Sequence, residues 1–254
     1  MRRILILGGT TEARLLAERL AARRDLVVTL SLAGRTAHPA AQPVPVRIGG
    51  FGGAEGLAAH LVRERVDLLI DATHPYAAVM SMHAAQAARS AGVPLLALRR
   101  PPWVAVAGDR WIDAADASAA ARALGEPPRR VFLALGRNDL MPFVAAPQHF
   151  YLVRSVDPVE PPLQVPHALY VTGRGPFSQA EDHALLSAHG IEIVVAKNSG
   201  GAATYGKIAA ARALGLTVIM LRRPALPTVP AVETIADAVV WIDHGTAPGA
   251  DRDV

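Results

Sequence analysis

Cysteine is absent from the 254 residues, so the chain can build no disulfide framework, thiolate metal site or iron–sulfur cluster. Without redox cysteines, a cytoplasmic protein is the simplest expectation. Long apolar runs are missing too, and none approaches the roughly 20 residues that span a bilayer, so no membrane partner is expected. Met1-Arg2-Arg3 leads straight into a short apolar run that stops at Gly8-Gly9, which reads as a strand and not as a signal peptide. Lysine is nearly absent: Lys197 and Lys207 are the only two, and arginine supplies the other positive side chains. The arginines are spread along the chain and not blocked into a basic arm. The net charge of +4 and pI near 9.9 therefore point to a small polyanionic ligand and away from nucleic acid. Apart from His74, the histidines from His38 to His244 are scattered singly, without metal-ligand spacing, and no metal site is expected. No Tyr-x-x-x-Lys dyad occurs, which removes a short-chain dehydrogenase mechanism, and no protein partner is evident.

What the chain does have is 51% hydrophobic residues and a regular alternation of strand-like and helix-like stretches. Arg3-Ile4-Leu5-Ile6-Leu7 is a continuous apolar run, as a parallel strand buried on both faces requires. A helix through about Arg23 follows, with Leu15, Leu16, Arg19 and Leu20 at helical spacing. Further strands are expected at 26–32, near Val46–Ile48, at 66–70 and at 94–98, with helices between them. This alternation implies parallel sheets with crossover helices, hence a doubly wound α/β fold.

The second half repeats the first. Ala84–Pro101 aligns without gaps on Lys207–Pro224, and both stretches end in Leu-Arg-Arg-Pro. Extending that register upstream sets Leu68–Ile70 on Ile191–Ile193 and His74 on Lys197. Arg3–Leu7 followed by Gly9 also resembles Arg130–Ala134 followed by Gly136. Two Rossmann-like domains are expected: residues 1–125, which carry the Gly8–Ala13 turn, and 126–244, which carry the Lys197–Lys207 stretch. The last segment of the second is free to pack on the first, and 245–254 is expected to be a tail. Ligands of such sheets bind outside the carboxyl ends of the strands, so a ligand cleft between the halves is expected.

Gly8-Gly9-Thr10-Thr11-Glu12-Ala13 follows the first strand in the place of a dinucleotide fingerprint, with threonine where the second glycine would stand. A NAD site carries an acid at the end of the second strand, whereas NADP needs a cation there. The sequence reads Ser31-Leu32-Ala33-Gly34-Arg35-Thr36, with no acid. Arg35 with Ser31 or Thr36 could clamp a 2′-phosphate, which favours NADPH. Gly50 marks a glycine turn after the third strand and is counted with the cofactor residues. In Asp71-Ala72-Thr73-His74-Pro75-Tyr76-Ala77, His74 and Tyr76 could act as acid or base; alternatively Thr73 and His74 only hydrogen-bond the cofactor.

The Gly- and Ser-rich stretch Lys197–Lys207 joins a strand to an alanine-rich helix, the layout of an anion site. It is not a Walker loop, because Gly206-Lys207 is followed by Ile208. Gly136-Arg137 and Gly173-Arg174-Gly175 set further cations beside glycine after strands. With Lys197, Ser199, Gly200 and Lys207 they suggest a donor-rich wall for carboxylates.

Taken together, Ile6–Arg14, Asp71–Ala77, Arg100-Pro101-Pro102-Trp103, Arg174-Gly175-Pro176-Phe177 and Lys197–Gly201 resemble the precorrin-6A reductase family of cobalamin biosynthesis. The resemblance implies an NADPH-dependent reductase that saturates one carbon–carbon double bond of a tetrapyrrole, precorrin-6A, to give precorrin-6B. It also implies that the macrocycle sits between two Rossmann-like domains. A substrate bearing many carboxylates suits Arg14, Arg137, Arg174, Lys197 and Lys207 as binding residues. The proton that completes the reduction could come from water, Tyr76 or a lysine, with Lys197 the candidate. A non-catalytic, two-lobed protein that binds an anion or a tetrapyrrole would use the same features.

Overall fold

The computed structural model describes residues 1–34 and 41–244. In chain order the elements are β1 (Arg2–Leu7), α1 (Thr11–Ala21), β2 (Leu26–Leu32), β3 (Val46–Ile48), α2 (Gly53–Arg63), β4 (Leu68–Asp71), α3 (Ala78–Ala91) and β5 (Leu95–Leu98). They continue with β6 (Arg110–Ala114), α4 (Ala117–Ala123), β7 (Arg130–Ala134), two 3-10 turns (Arg137–Asp139 and Met141–Ala145), β8 (Phe150–Ser155) and β9 (Ala168–Thr172). The rest are α5 (Gln179–Ala188), β10 (Ile193–Lys197), α6 (Gly206–Ala213), β11 (Thr217–Leu221), β12 (Ala231–Val232) and α7 (Ile235–His244).

These strands form two six-stranded sheets, ordered β3-β2-β1-β4-β5-β12 and β9-β8-β7-β10-β11-β6, in which every pairing is parallel. Each is the doubly wound order in which the strand sequence reverses beside the first strand, at β1/β4 and at β7/β10. Both faces are covered, which is why the strands read as unbroken apolar runs. Ile4 and Ile6 enter one core with Leu16, Leu20 and Leu30, while Leu5 and Leu7 enter another with Leu57, Leu61 and Leu69. In the second sheet Phe132, Leu152, Val194, Val218 and Met220 share a core with Ile208 and Leu186.

The boundary between compact units differs from the one expected near Gly125. Among the described residues, one unit comprises those up to Pro101 together with those from Pro224 onward, and the other is Pro102–Arg223. The reason is strand pairing. β6 lies beside β11 in the second sheet, so residues 102–125 belong with it, while β12 returns to β5 in the first. The chain thus changes unit after Pro101 and again after Arg223, at the two copies of the repeated Leu-Arg-Arg-Pro. The backbone N–H of Arg99 bonds to Val232 of β12, and that of Arg222 to Ala114 of β6, the same position in each sheet.

The repeat is present, with one slip. Pairing across β4/β5 sets Asp71 against Ala97, and pairing across β10/β11 sets Ala196 against Met220. Ala97 and Met220 correspond through Leu-Arg-Arg-Pro, so Ala196 matches Asp71, and Lys197 matches Ala72 rather than His74. The connection between these strands is two residues shorter in the second half (Asp71 to Leu95 against Ala196 to Val218). Carried on through β1/β4 and β7/β10, the registers set Leu7 on Ala134 and Gly9 on Gly136, as the sequence suggested. They also set Ser31, at the end of β2, on Arg154 of β8. Along α1 the buried stripe is Ala13, Leu16, Ala17 and Leu20, with Leu15 and Arg19 outside it.

Candidate active site

The turn after β1 is built for close approach. A Cβ on Gly8 would stand 2.7 Å from Leu30 Cδ1 in the core, and Gly9 has φ +110°, which disfavours any side chain. Thr10 caps α1: its hydroxyl accepts from Ala13 N–H at 3.1 Å and donates to the Ala72 carbonyl at 2.8 Å. The hydroxyl proton is thereby engaged within the protein. The N–H groups of Thr11 and Glu12 have no carbonyl one turn behind them in the helix, and they supply the donors at its positive end. Ala13, fully buried, keeps the helix close to the sheet.

Other residues that the sequence assigned to a cofactor stand at the end of β2, after it and after β3. Ser31 is buried, and its carbonyl accepts from Gly8 N–H at 2.9 Å. Gly34 has φ +73° and a Cβ there would meet Ile48 at 3.2 Å; Arg35 and Thr36 lie outside the described residues. After β3, an added Cβ at Gly49, Gly50, Gly52 or Gly53 would meet nothing within 4 Å. Arg47, which the sequence reading passed over, braces this turn by donating to the carbonyls of Gly49 at 2.5 Å and Gly50 at 2.7 Å, and it stacks on Phe51.

Asp71 ends β4 as a buried carboxylate that accepts from Thr73 N–H, the Thr73 hydroxyl and the Ser81 hydroxyl at 3.1, 2.6 and 2.6 Å. These bonds tie the loop that presents His74 and Tyr76 to the first turn of α3. Within the loop, His74 Nδ1 accepts from Tyr76 N–H at 3.3 Å, and the two rings lie 5.6 Å apart. A further contact escapes any local reading of the sequence: Glu12, in the first turn of α1, is paired with Arg100 just beyond β5.

In the second unit the cations gather at strand ends. Arg137 is exposed on the 3-10 turn after β7, and Arg174 is exposed after β9. Lys197, at the end of β10, donates to Asp139 at 2.6 Å. The Arg174 turn is braced from below. Arg154 is paired with the buried Asp182 and lies 3.8 Å from the Phe177 ring centroid, and Gly173 and Gly175 fold closely over that ring. Arg14, the remaining expected substrate cation, is on α1 of the first unit and bonds Glu18 at 3.1 Å.

The loop Lys197–Lys207 is held as a fixed shape. Gly200 and Gly201 adopt φ +68° and +71°. Trp103 donates its backbone N–H to the Asn198 side chain at 2.7 Å and its indole N–H to the Gly201 carbonyl at 2.9 Å. Arg223 reaches the carbonyls of Asn198 and Ser199. Ser199 is buried, with its N–H on the Lys197 carbonyl. Lys207 is only 4% exposed; its ammonium donates to the Thr204 carbonyl at 2.6 Å and lies 5.0 Å from the Trp103 ring centroid.

Among the described residues no helix is long and apolar enough to cross a membrane. The comparisons with known proteins agree with one another. The chain is 55% identical to a precorrin-6A reductase from Sinorhizobium over 97% of its own length and 94% of the relative's. It is 51% identical to one from Rhodobacter capsulatus, over 98% and 99%. A cobalt-precorrin-6A reductase of Salmonella typhimurium is 30% identical over 87% of each chain. A solved structure of CobK precorrin-6A reductase superposes with a TM-score of 0.93 at 51% identity, covering 98% of this chain and 99% of that one. The family model described as precorrin-6x reductase CbiJ/CobK matches residues 3–243, and with these identities it establishes that the chain belongs to the precorrin-6x reductase family.

Proposed function

We propose that this chain reduces one carbon–carbon double bond of precorrin-6A to give precorrin-6B, with NADPH as hydride donor. The single observation that carries the division of labour is the contrast between the turns after β1 and β7. Only the first opens into a full helix with free N–H groups at its positive end, and the second is followed by strand ends that carry Arg137, Arg174 and Lys197.

The reductases of this family draw on a nicotinamide cofactor, and the residues of the first unit fit one. Gly8 and Gly9 let the backbone come close, and Thr11 and Glu12 N–H groups would hold the pyrophosphate. Thr10 serves as helix cap. Ser31, Gly34, Arg35 and Thr36 would take the adenosine ribose and its 2′-phosphate, with Gly50 leaving room beside them. Thr73 and His74, fixed by Asp71, would hold the nicotinamide end. The cofactor supplies the hydride, and the protein supplies position and charge.

Substrate carboxylates would be bound by Arg137, Arg174 and Lys197, with Arg14 a further cation from the first unit. Ser199 and Gly200 shape the wall, and Lys207 acts from inside it. Asp139 holds the Lys197 ammonium in a defined place until a substrate carboxylate or the reacting carbon engages it. Tyr76 or Lys197 would deliver the proton. The test is direct: purified protein with verified precorrin-6A should oxidise NADPH and shift the visible spectrum of the tetrapyrrole. Absence of turnover with that substrate would refute the proposal.

A further inference from the structure

Glu12 is an odd residue to find where it is. It occupies the second position of α1, inside the turn whose N–H groups are proposed to receive the dinucleotide pyrophosphate. A carboxylate in the first turn is attracted by the same positive helix end that attracts a phosphate, and it is covalently present at all times. Left alone, it would compete for those donors and repel the incoming anion. At separations of a few ångströms that repulsion matters, because the site is partly shielded from water.

The structure removes the conflict with one contact. Arg100 approaches from the end of β5 and its guanidinium binds the Glu12 carboxylate. Both side chains are largely covered, at 14% and 23% exposed, so the pair is screened less than a surface ion pair. The Thr10 hydroxyl cannot take over this task, since its proton is already given to Ala72.

We infer that Arg100 is a positioning residue for the cofactor: by holding and neutralising the Glu12 carboxylate, it keeps the positive end of α1 free for the pyrophosphate of NADPH. This rests on the proposed placement of NADPH at the β1–α1 turn. It gives the first Leu-Arg-Arg-Pro a function in its own unit. The matching Arg223 does a parallel job in the other unit, where it anchors the loop carbonyls of Asn198 and Ser199.

The experiment is a double-mutant cycle on NADPH affinity without substrate, read by calorimetry, with thermal unfolding of each free protein as the control for folding. Arg100→Gln should weaken NADPH binding about tenfold or more, because the carboxylate is then unpaired beside the phosphates. Glu12→Gln alone should bind within about threefold of wild type, and Glu12→Gln with Arg100→Gln should recover most of the lost affinity. If the double variant is as weak as Arg100→Gln, or if Arg100→Gln binds like wild type, the inference is wrong. Should Arg100→Gln fail to fold, Glu12→Gln still decides, because a tenfold loss there would overturn the idea. Wild-type protein that does not bind NADPH at all would instead overturn the cofactor assignment beneath it.

Discussion

After β1 the chain turns through Gly8-Gly9 into an 11-residue helix, and after β7, in the same register, it turns through Gly136 into 3 residues of 3-10 helix. The sheets around the two turns have the same strand order, so the difference lies in what each half does with equivalent strand ends. A full helix aligns enough peptide dipoles to attract a phosphate, and a single 3-10 turn does not. The end of the second strand differs in the same sense. In the first unit it is the small Ser31; in the second it is Arg154, set against Phe132, Phe177 and Asp182. A large charged side chain packed on two rings thus stands where the first unit has a small serine. On the proposed placement of the cofactor, the first half would keep the nucleotide geometry, while the second carries Arg154 at the matching position and Arg137, Arg174 and Lys197 after its strands.

Four changes would break or sharpen this contrast, beginning with the largest effect. Asp182→Ala leaves Arg154 buried and unpaired in the second unit, which should cost about 3–5 kcal/mol of unfolding free energy by denaturant titration. Ser31→Ala, at the matching position, should cost under about 1 kcal/mol. Lys197→Ala should raise the KM for precorrin-6A roughly tenfold or more, with a smaller fall in kcat, because one charge-assisted contact is lost. The KM for NADPH should stay put; a change in that constant of equal size would blur the division between halves. Arg35→Ala should raise the KM for NADPH far more than that for NADH, and equal effects on both would refute a 2′-phosphate clamp.

The smallest effect concerns pH. His149 is fully buried between β7 and β8, and burial holds its pKa below the usual histidine value. The unfolded chain therefore binds more protons than the folded one between the depressed value and the ordinary one. Stability should fall as the pH drops through about 6.5 and level off below the depressed value. Replacing His149 by Gln should flatten that part of the stability–pH curve, and an unchanged slope would assign the effect elsewhere.

Much of this was legible in the sequence because it is local. β1, the glycine turn, the loop after β4 and the Leu-Arg-Arg-Pro repeat are each written in adjacent residues. The unit boundary was not legible, because it depends on β6 pairing with β11 and β12 with β5, far along the chain. The register of the repeat slipped between β4 and β5 because alanine-rich helices align equally well with two residues more or fewer. The burial of Lys207 and its bond to the Thr204 carbonyl were not legible, because they depend on how the loop folds over α6. The pairs Glu12–Arg100 and Arg154–Asp182 join residues with no local signature, and only the fold brings them together.

The central claim is that one half alone binds the nucleotide, and calorimetric titration of NADPH tests it most directly. Gly9→Val is the deciding variant, since an added Cβ there meets no neighbour and the φ of +110° confines the strain to the turn. The account predicts one NADPH per chain, binding abolished by Gly9→Val and retained by Lys197→Ala. Two equivalents per chain, or binding that survives Gly9→Val and disappears in Lys197→Ala, would contradict it.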